Sequence, residues 1–308
     1  MIIRGQFSDF FGTTMLPALN SVIWKRYNQR PDEYSQIFDV GTSNRSIEQF
    51  GEVTGLGLFT QVNEGSPVRY DQPMQGFHST LTHLRYGLGF MTSQDVVEDD
   101  KISLVKKMGI ELGRSAKESI EIDPAAHFNN GFNGSFAGPD GVALFSASHP
   151  LIKVGGVQSN LLSVAADLDV TSLELALTDY ENMRDSSGKK LRLPTPRLVV
   201  PSNTRWRAYE ILGGRDWRSD TANHTINAFQ HGDSGPIEKV LVWHYLTSTV
   251  AWFLVAPPAE TGLKFFWRRK PYTDYGYDFD TESGKTAMRY KKSHGWTDYY
   301  GTYGTPGV

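Results

Sequence analysis

Apolar residues step along this chain by two in some stretches and by three or four in others, and the switches predict its elements. Near the N-terminus Phe7, Phe10, Phe11, Leu16, Leu19, Trp24 and Tyr27 fall at roughly helical spacing, interrupted by Pro17 and Pro31. Residues 1–45 read as an arm with a short helix that packs on something else, another subunit among the candidates. The next stretch, 46–92, turns extended. Ile47, Phe50, Val53, Leu56, Leu58, Phe59 and Val62 lie in a glycine-punctuated run, and Asn63-Glu64-Gly65-Ser66-Pro67 reads as a turn. A return run passes through Val68 and Tyr70 into the Thr- and aromatic-bearing segment 79–86. This predicts a hairpin with arms of about 15 residues, each reaching roughly 50 Å at about 3.3 Å per residue. A lone ribbon of that length is marginal in water and has open edges, so it is expected to lie on a neighbouring copy. The alternative is a meander folded back on its own core.

Helical rhythm takes over at 93–122, where Ile102, Val105, Met108, Leu112, Ala116 and Ile120 form one stripe. Asp99 or Asp100 would cap this helix of about 20 residues, roughly 30 Å long, and Pro124 should end or kink it. A shorter helical piece is expected from Ala125 to Asn130, closing at Gly131. After a loop-rich stretch, 171–184 predicts an amphipathic helix with Thr171 and Glu174 at capping-box spacing. Leu198-Val199-Val200 predicts a buried strand, Asn203–Leu212 a second helix, and 239–246 and 251–256 two apolar strands. This order suggests a compact α+β unit over about 135–256. The tail alternates as two strands, Leu263–Asp278 and Lys285–Trp296, around an Asp280–Gly284 turn. The stripe of the 101–122 helix is the best partner for their apolar face.

With 308 residues, the chain exceeds the size at which a single core usually stops growing. It contains no cysteine, which excludes disulfides, thiolate catalysis and cysteine-ligated metals. No apolar run approaches a membrane span, and the N-terminus has no signal-peptide pattern. A net charge of −3 argues against a dedicated nucleic-acid binder. The charge is uneven: residues 1–150 carry net −5 and residues 151–308 net +2. Neighbouring copies could meet through such faces. Candidate chemistry is sparse. Ser283-Gly284-Lys285-Thr286 ends like a phosphate loop, but Phe279 stands where the motif needs glycine. Ser146-Ala147-Ser148-His149-Pro150 sets hydroxyls beside a histidine without the glycines of a nucleophile elbow. The eight histidines show no helical zinc spacing. Arg268-Arg269-Lys270 and Lys291-Lys292 read as subunit-contact or inner-surface charges. No catalytic, cofactor or metal site is expected.

The order of these parts resembles the major capsid (head) proteins of tailed bacteriophages, especially Mu-type head subunits. The residues that carry the resemblance are the long hairpin, the acidic Val96-Val97-Glu98-Asp99-Asp100 step into the helix, and Gly131-Phe132. They continue with the run from Asp140 to Pro150 containing Leu144-Phe145-Ser146-Ala147-Ser148-His149-Pro150, Gln158-Ser159-Asn160, Leu198-Val199-Val200-Pro201 and the closing Gly295–Gly304 segment. The resemblance implies an α+β fold in five parts: an N-terminal arm (1–45), an extended loop (46–92), a peripheral domain with a spine helix (93–134), an axial domain (135–256) and peripheral tail strands (257–308). It implies hexamers and pentamers closing an icosahedral virion head around double-stranded DNA. Portal, separate scaffold and decoration proteins are the implied partners, and the host cytoplasm the place of assembly. Phe10, Phe11 and Trp24 in the arm, and Phe50, Leu56, Phe59 and Tyr70 in the loop, are the expected subunit contacts. A lysine crosslink from the loop, used by some relatives, is excluded because no lysine lies between Lys25 and Lys101. The rival readings are an encapsulin-like shell, another virion protein such as a tail component, and a hydrolase using Ser148 and His149.

Overall fold

The computed structural model describes residues 15–93, 95–96, 102–213, 229, 235–278 and 280–308. In chain order the elements are α1 (Leu16–Tyr27), β1 (Asp39–Thr42), β2 (Ile47–Val53), β3 (Gln75–Thr82), β4 (Leu84–Ser93), α2 (Ile102–Asn129), β5 (His149–Pro150) and β6 (Val157–Gln158). They continue with α3 (Val170–Glu181), β7 (Arg197–Val200), α4 (Arg205–Gly213), β8 (Val240–Val242), β9 (Trp252–Val255), β10 (Leu263–Asp278), β11 (Ser283–Trp296) and β12 (Thr302–Thr305). One four-stranded sheet runs β1-β10-β11-β4 and a second runs β12-β9-β7-β8; β2 and β3 form a separate ribbon. The architecture is α+β.

The first sheet is built on the long β10–β11 hairpin, whose bounds match the alternation in the sequence. Met288 and Tyr290 point inward and are buried beneath α2, with Val105, Leu112, Ala116 and Ile120 on the helix stripe. Helix α1 docks on α2 of the same chain, so of the partners open to the predicted arm helix it takes its own spine helix. The reason is a pair of glycines four residues apart. A Cβ on Gly109 would come within 2.5 Å of Leu19, and one on Gly113 within 2.5 Å of the Ile23 carbonyl. The bare backbone of α2 lets α1 approach that closely. Strand β1, also in the predicted arm, pairs in parallel with β10. The capping aspartates expected before α2 lie outside the described residues.

Helix α2 does not end at Pro124 but runs on to Asn129. Proline donates no hydrogen bond, which frees the Ile120 carbonyl. The Lys292 ammonium takes its place, donating to Ile120 O at 3.2 Å and Ser119 O at 3.3 Å, and pairing with Asp123 at 2.9 Å. Three rings, Tyr86, Phe265 and Tyr290, surround it at 5.3–5.7 Å. A lysine on the tail hairpin therefore supplies the donor that keeps the helix continuous.

The second unit packs α3 and α4 on its sheet around Trp252, Leu254, Leu198 and Val200, all fully buried. The capping box of α3 sits two residues earlier than predicted, with the Asp169 N–H bonded to Ser172 Oγ at 2.9 Å. Strands β8 and β9, consecutive in sequence, flank β7 instead of pairing. The sheet is closed by β12, antiparallel to β9, so the tail reaches beyond the first sheet and completes the 135–256 unit. A shared core of Phe38, Phe128, Phe145, Trp243, Phe253 and Phe265 joins both sheets. At about 1.5–3 kcal/mol per fully buried large apolar side chain, this core dominates the cohesion of the chain.

Candidate assembly surface

The extended segment divides where the sequence showed one hairpin. The return run breaks at His83: β3 pairs with β2, while β4 crosses to β11. The paired arms are therefore 7 and 8 residues, not about 15. This root rests on its own chain. Phe50 stacks on Phe266 with ring centroids 5.7 Å apart, and Ser79 Oγ donates to Trp296 O at 3.1 Å. The mouth of the loop is closed reciprocally: Thr54 N–H donates to Met74 O at 2.9 Å, and Met74 N–H donates to Thr54 Oγ1 at 2.8 Å.

Beyond that clasp, residues 54–74 form no strand. Polar groups of the second unit hold the loop's base. Lys153 Nζ reaches Asp71 at 2.7 Å and Gly55 O at 3.2 Å, Ser187 Oγ donates to Gly55 O at 3.0 Å, and Lys189 donates to Leu56 O. The hydrogen bond from Lys153 holds the Asp71 carboxyl below its ordinary range. Glu52 accepts from Ser186 and Tyr300 just inside. The tip is left uncovered: Phe59 is 106% exposed, Tyr70 92% and Leu58 79%. Leu56, Leu58, Phe59, Val62 and Val68 line a concave apolar face of about 490 Å³. A contiguous apolar surface on a loop pinned at its base is of the kind that marks interaction sites.

Among the predicted contact residues, Leu56 and Phe59 line this concave face, Leu56 at its base, and Tyr70 is exposed on the return arm of the same loop. Phe50 sits at the root against Phe266, and Trp24 is half-buried beside Tyr27 in the α1–α2 cluster, ring centroids 5.3 Å apart. Phe10 and Phe11 lie outside the described residues. The clamp of Lys153, Ser187 and Lys189 was not visible in the sequence, because its partners are 82 to 133 residues away.

The Ser-His segment is a structural knot. His149 is fully buried, its Nδ1 2.5 Å from Asp140 Oδ2 and its Nε2 3.1 Å from Asn160 Oδ1. Its ring stacks on Tyr299 at 3.8 Å. Asn160 in turn donates to Leu144 O at 2.7 Å, accepts from Ser146 N at 2.8 Å, and its carbonyl accepts from Gly304 N at 3.0 Å. Both imidazole nitrogens are occupied, so neither can activate Ser148. The Leu144–Pro150 and Gln158–Asn160 segments thus tie the second unit to the tail. Ser283–Thr286 lies in β11, not in a phosphate loop.

A family model described as phage capsid protein matches residues 79–304. The chain belongs to the phage capsid protein family. The solved structure of Mycobacterium phage Adephagia shares the capsid protein's fold at a TM-score of 0.54 and 11% identity, covering 90% of each chain. The capsid of Ralstonia phage GP4 matches at a TM-score of 0.53 and 10% identity, over 87% of this chain and 86% of that one. The bacteriophage JBD30 capsid decorated with minor capsid protein trimers matches at 0.51 and 16% identity, over 74% of this chain and 98% of that one. No curated protein matches the sequence. The capsid protein is a structural protein of the virion and not an enzyme.

Proposed function

We propose that this capsid protein is the major head subunit of a tailed phage, similar in plan to Mu-type head subunits. It assembles as hexamers and pentamers into an icosahedral shell around double-stranded DNA. The observation that carries this reading is the loop 54–74, fixed at its base to its own chain and presenting Leu58, Phe59 and Tyr70 to solvent. In the shell this tip lies on a sister copy. The α2 sheet is the peripheral unit, and 135–256 with β12 the axial one. Each buried tip side chain contributes about 1.5–3 kcal/mol, less the cost of ordering the loop, so cohesion comes from many modest contacts. A portal, a separate scaffold and decoration proteins complete the head, which is built in the host cytoplasm.

Electron microscopy of the purified full chain tests this. Wild type is expected to give closed shells. A variant in which residues 55–73 are replaced by a short Gly-Ser bridge keeps the β2–β3 root and should remain a soluble subunit. Full-size shells from that variant would remove the loop from the assembly mechanism.

A further inference from the structure

On the face of the first sheet turned away from α2, cations gather in strand register. Arg269 on β10 is directly opposite Lys291 on β11, and Lys291 is directly opposite Arg85 on β4. With Arg268, Arg289 and Tyr272 they line a cleft of about 640 Å³. Like charges opposite one another on neighbouring strands destabilise a sheet. Among the described residues little relieves them. Arg289 pairs with Asp274 at 2.6 Å, Arg268 donates to the Arg45 carbonyl and Arg269 to the Tyr272 hydroxyl. Among the described residues, Arg85 and Lys291 meet no carboxylate.

We infer that this cationic band receives the acidic tip of the β10–β11 hairpin of a second copy. That tip holds Asp278, Asp280 and Glu282 within five residues of sequence, and Asp278 pairs with Lys285. Asp280 is exposed. The tip cannot reach its own band. From Ser283 to Lys291 the rigid ribbon runs about 26 Å at roughly 3.3 Å per residue. One hairpin therefore bears two complementary patches that only different copies can bring together. A cleft of this volume is the size of a small-ligand site and admits the side chains of a turn. A nucleic-acid duplex would touch it with one edge only, and would meet a subunit of net charge −3 around it. Such a contact sets the orientation of neighbours and makes assembly sensitive to salt.

This inference rests on the shell reading, and charge reversal separates the two. R85E/K291E and D280K/E282K are each expected to raise the concentration needed for shell formation at least about tenfold. The chain carrying all four reversals should assemble near the wild-type concentration. The neutral R85Q/K291Q chain, checked for a wild-type urea midpoint as free subunit, should flatten the salt dependence of assembly. Shells from R85E/K291E at wild-type concentration would overturn the contact. So would failure of the fourfold variant to recover when its free subunit unfolds like wild type. Normal shells from R85Q/K291Q that lose bound nucleic acid would assign the band to DNA and overturn it as well. A wild-type chain that forms no shell under any salt condition would overturn the shell reading, and this contact with it.

Discussion

Replacing Lys292 by methionine tests how α2 survives its internal proline. The lysine side chain is 0% exposed, and its ammonium is held by Ile120 O, Ser119 O and Asp123. Burial lowers its pKa, and the neighbouring Asp123 carboxylate opposes that shift. Removing the ammonium leaves the Ile120 carbonyl without the donor that Pro124 cannot supply, at about 1–3 kcal/mol. Asp123 keeps partial access to water and adds less, and the three ring contacts contribute roughly 0.5–1 kcal/mol each. Relief of the lysine's own desolvation offsets part of the loss, leaving a net cost of about 3–5 kcal/mol. The decisive measurement is a double-mutant cycle with P124A, by urea unfolding of the unassembled subunit. In the P124A background residue 124 regains an N–H for Ile120 O, so K292M should cost about 1–2 kcal/mol less there. Additivity within about 0.5 kcal/mol, or a K292M cost below about 1 kcal/mol, would refute the capping role.

Other substitutions probe the remaining joints. Gly113→Ala should destabilise the subunit by about 1–3 kcal/mol, because the clash with Ile23 O outweighs the roughly 1 kcal/mol helix-propensity gain; urea midpoints with Leu19→Ala as reference will show it. His149→Ala should cost about 2–4 kcal/mol in thermal or urea unfolding, whereas Ser148→Ala should be nearly silent. The buried pair His127 and His294, 2.7 Å apart, is kept neutral, burial pushing both pKa values down, that of His127 to about 4. The unfolded chain then binds more protons below about pH 6.5, so stability falls as pH drops through that value toward 4. Glu121 acts the other way. Burial raises its carboxyl to about 7, so the folded state holds that proton between about 4.5 and 7. Two histidines against one glutamate leave about one proton, or roughly 1.4 kcal/mol per pH unit near pH 5.5. E121Q should steepen the urea-midpoint slope between pH 6.5 and 4.5, and H127Q/H294Q should reverse it.

The amino-acid sequence alone determined the features that local periodicity sets. The stripe from Val105 to Ile120 made a helix, and the alternation from Leu263 to Trp296 made a hairpin whose bounds held to within two residues. Motif order pointed to the family, and the uncovered loop with Leu56, Phe59 and Tyr70 was legible as apolar residues in a glycine-broken extended run. Tertiary structure decided whatever depends on partners distant in the chain. The run through His83 looks continuous by period, and only the competing ladder of β11 splits it into β3 and β4. Pro124 stops a helix on local grounds, and only a lysine 168 positions later in the sequence lets it continue. Gly109 and Gly113 weaken a helix in isolation, yet they are what α1 needs to approach. His149 beside Ser148 suggested chemistry until Asp140 and Asn160 took both of its nitrogens. Period and propensity act over a few residues, whereas burial and hydrogen-bond satisfaction are properties of the packed whole.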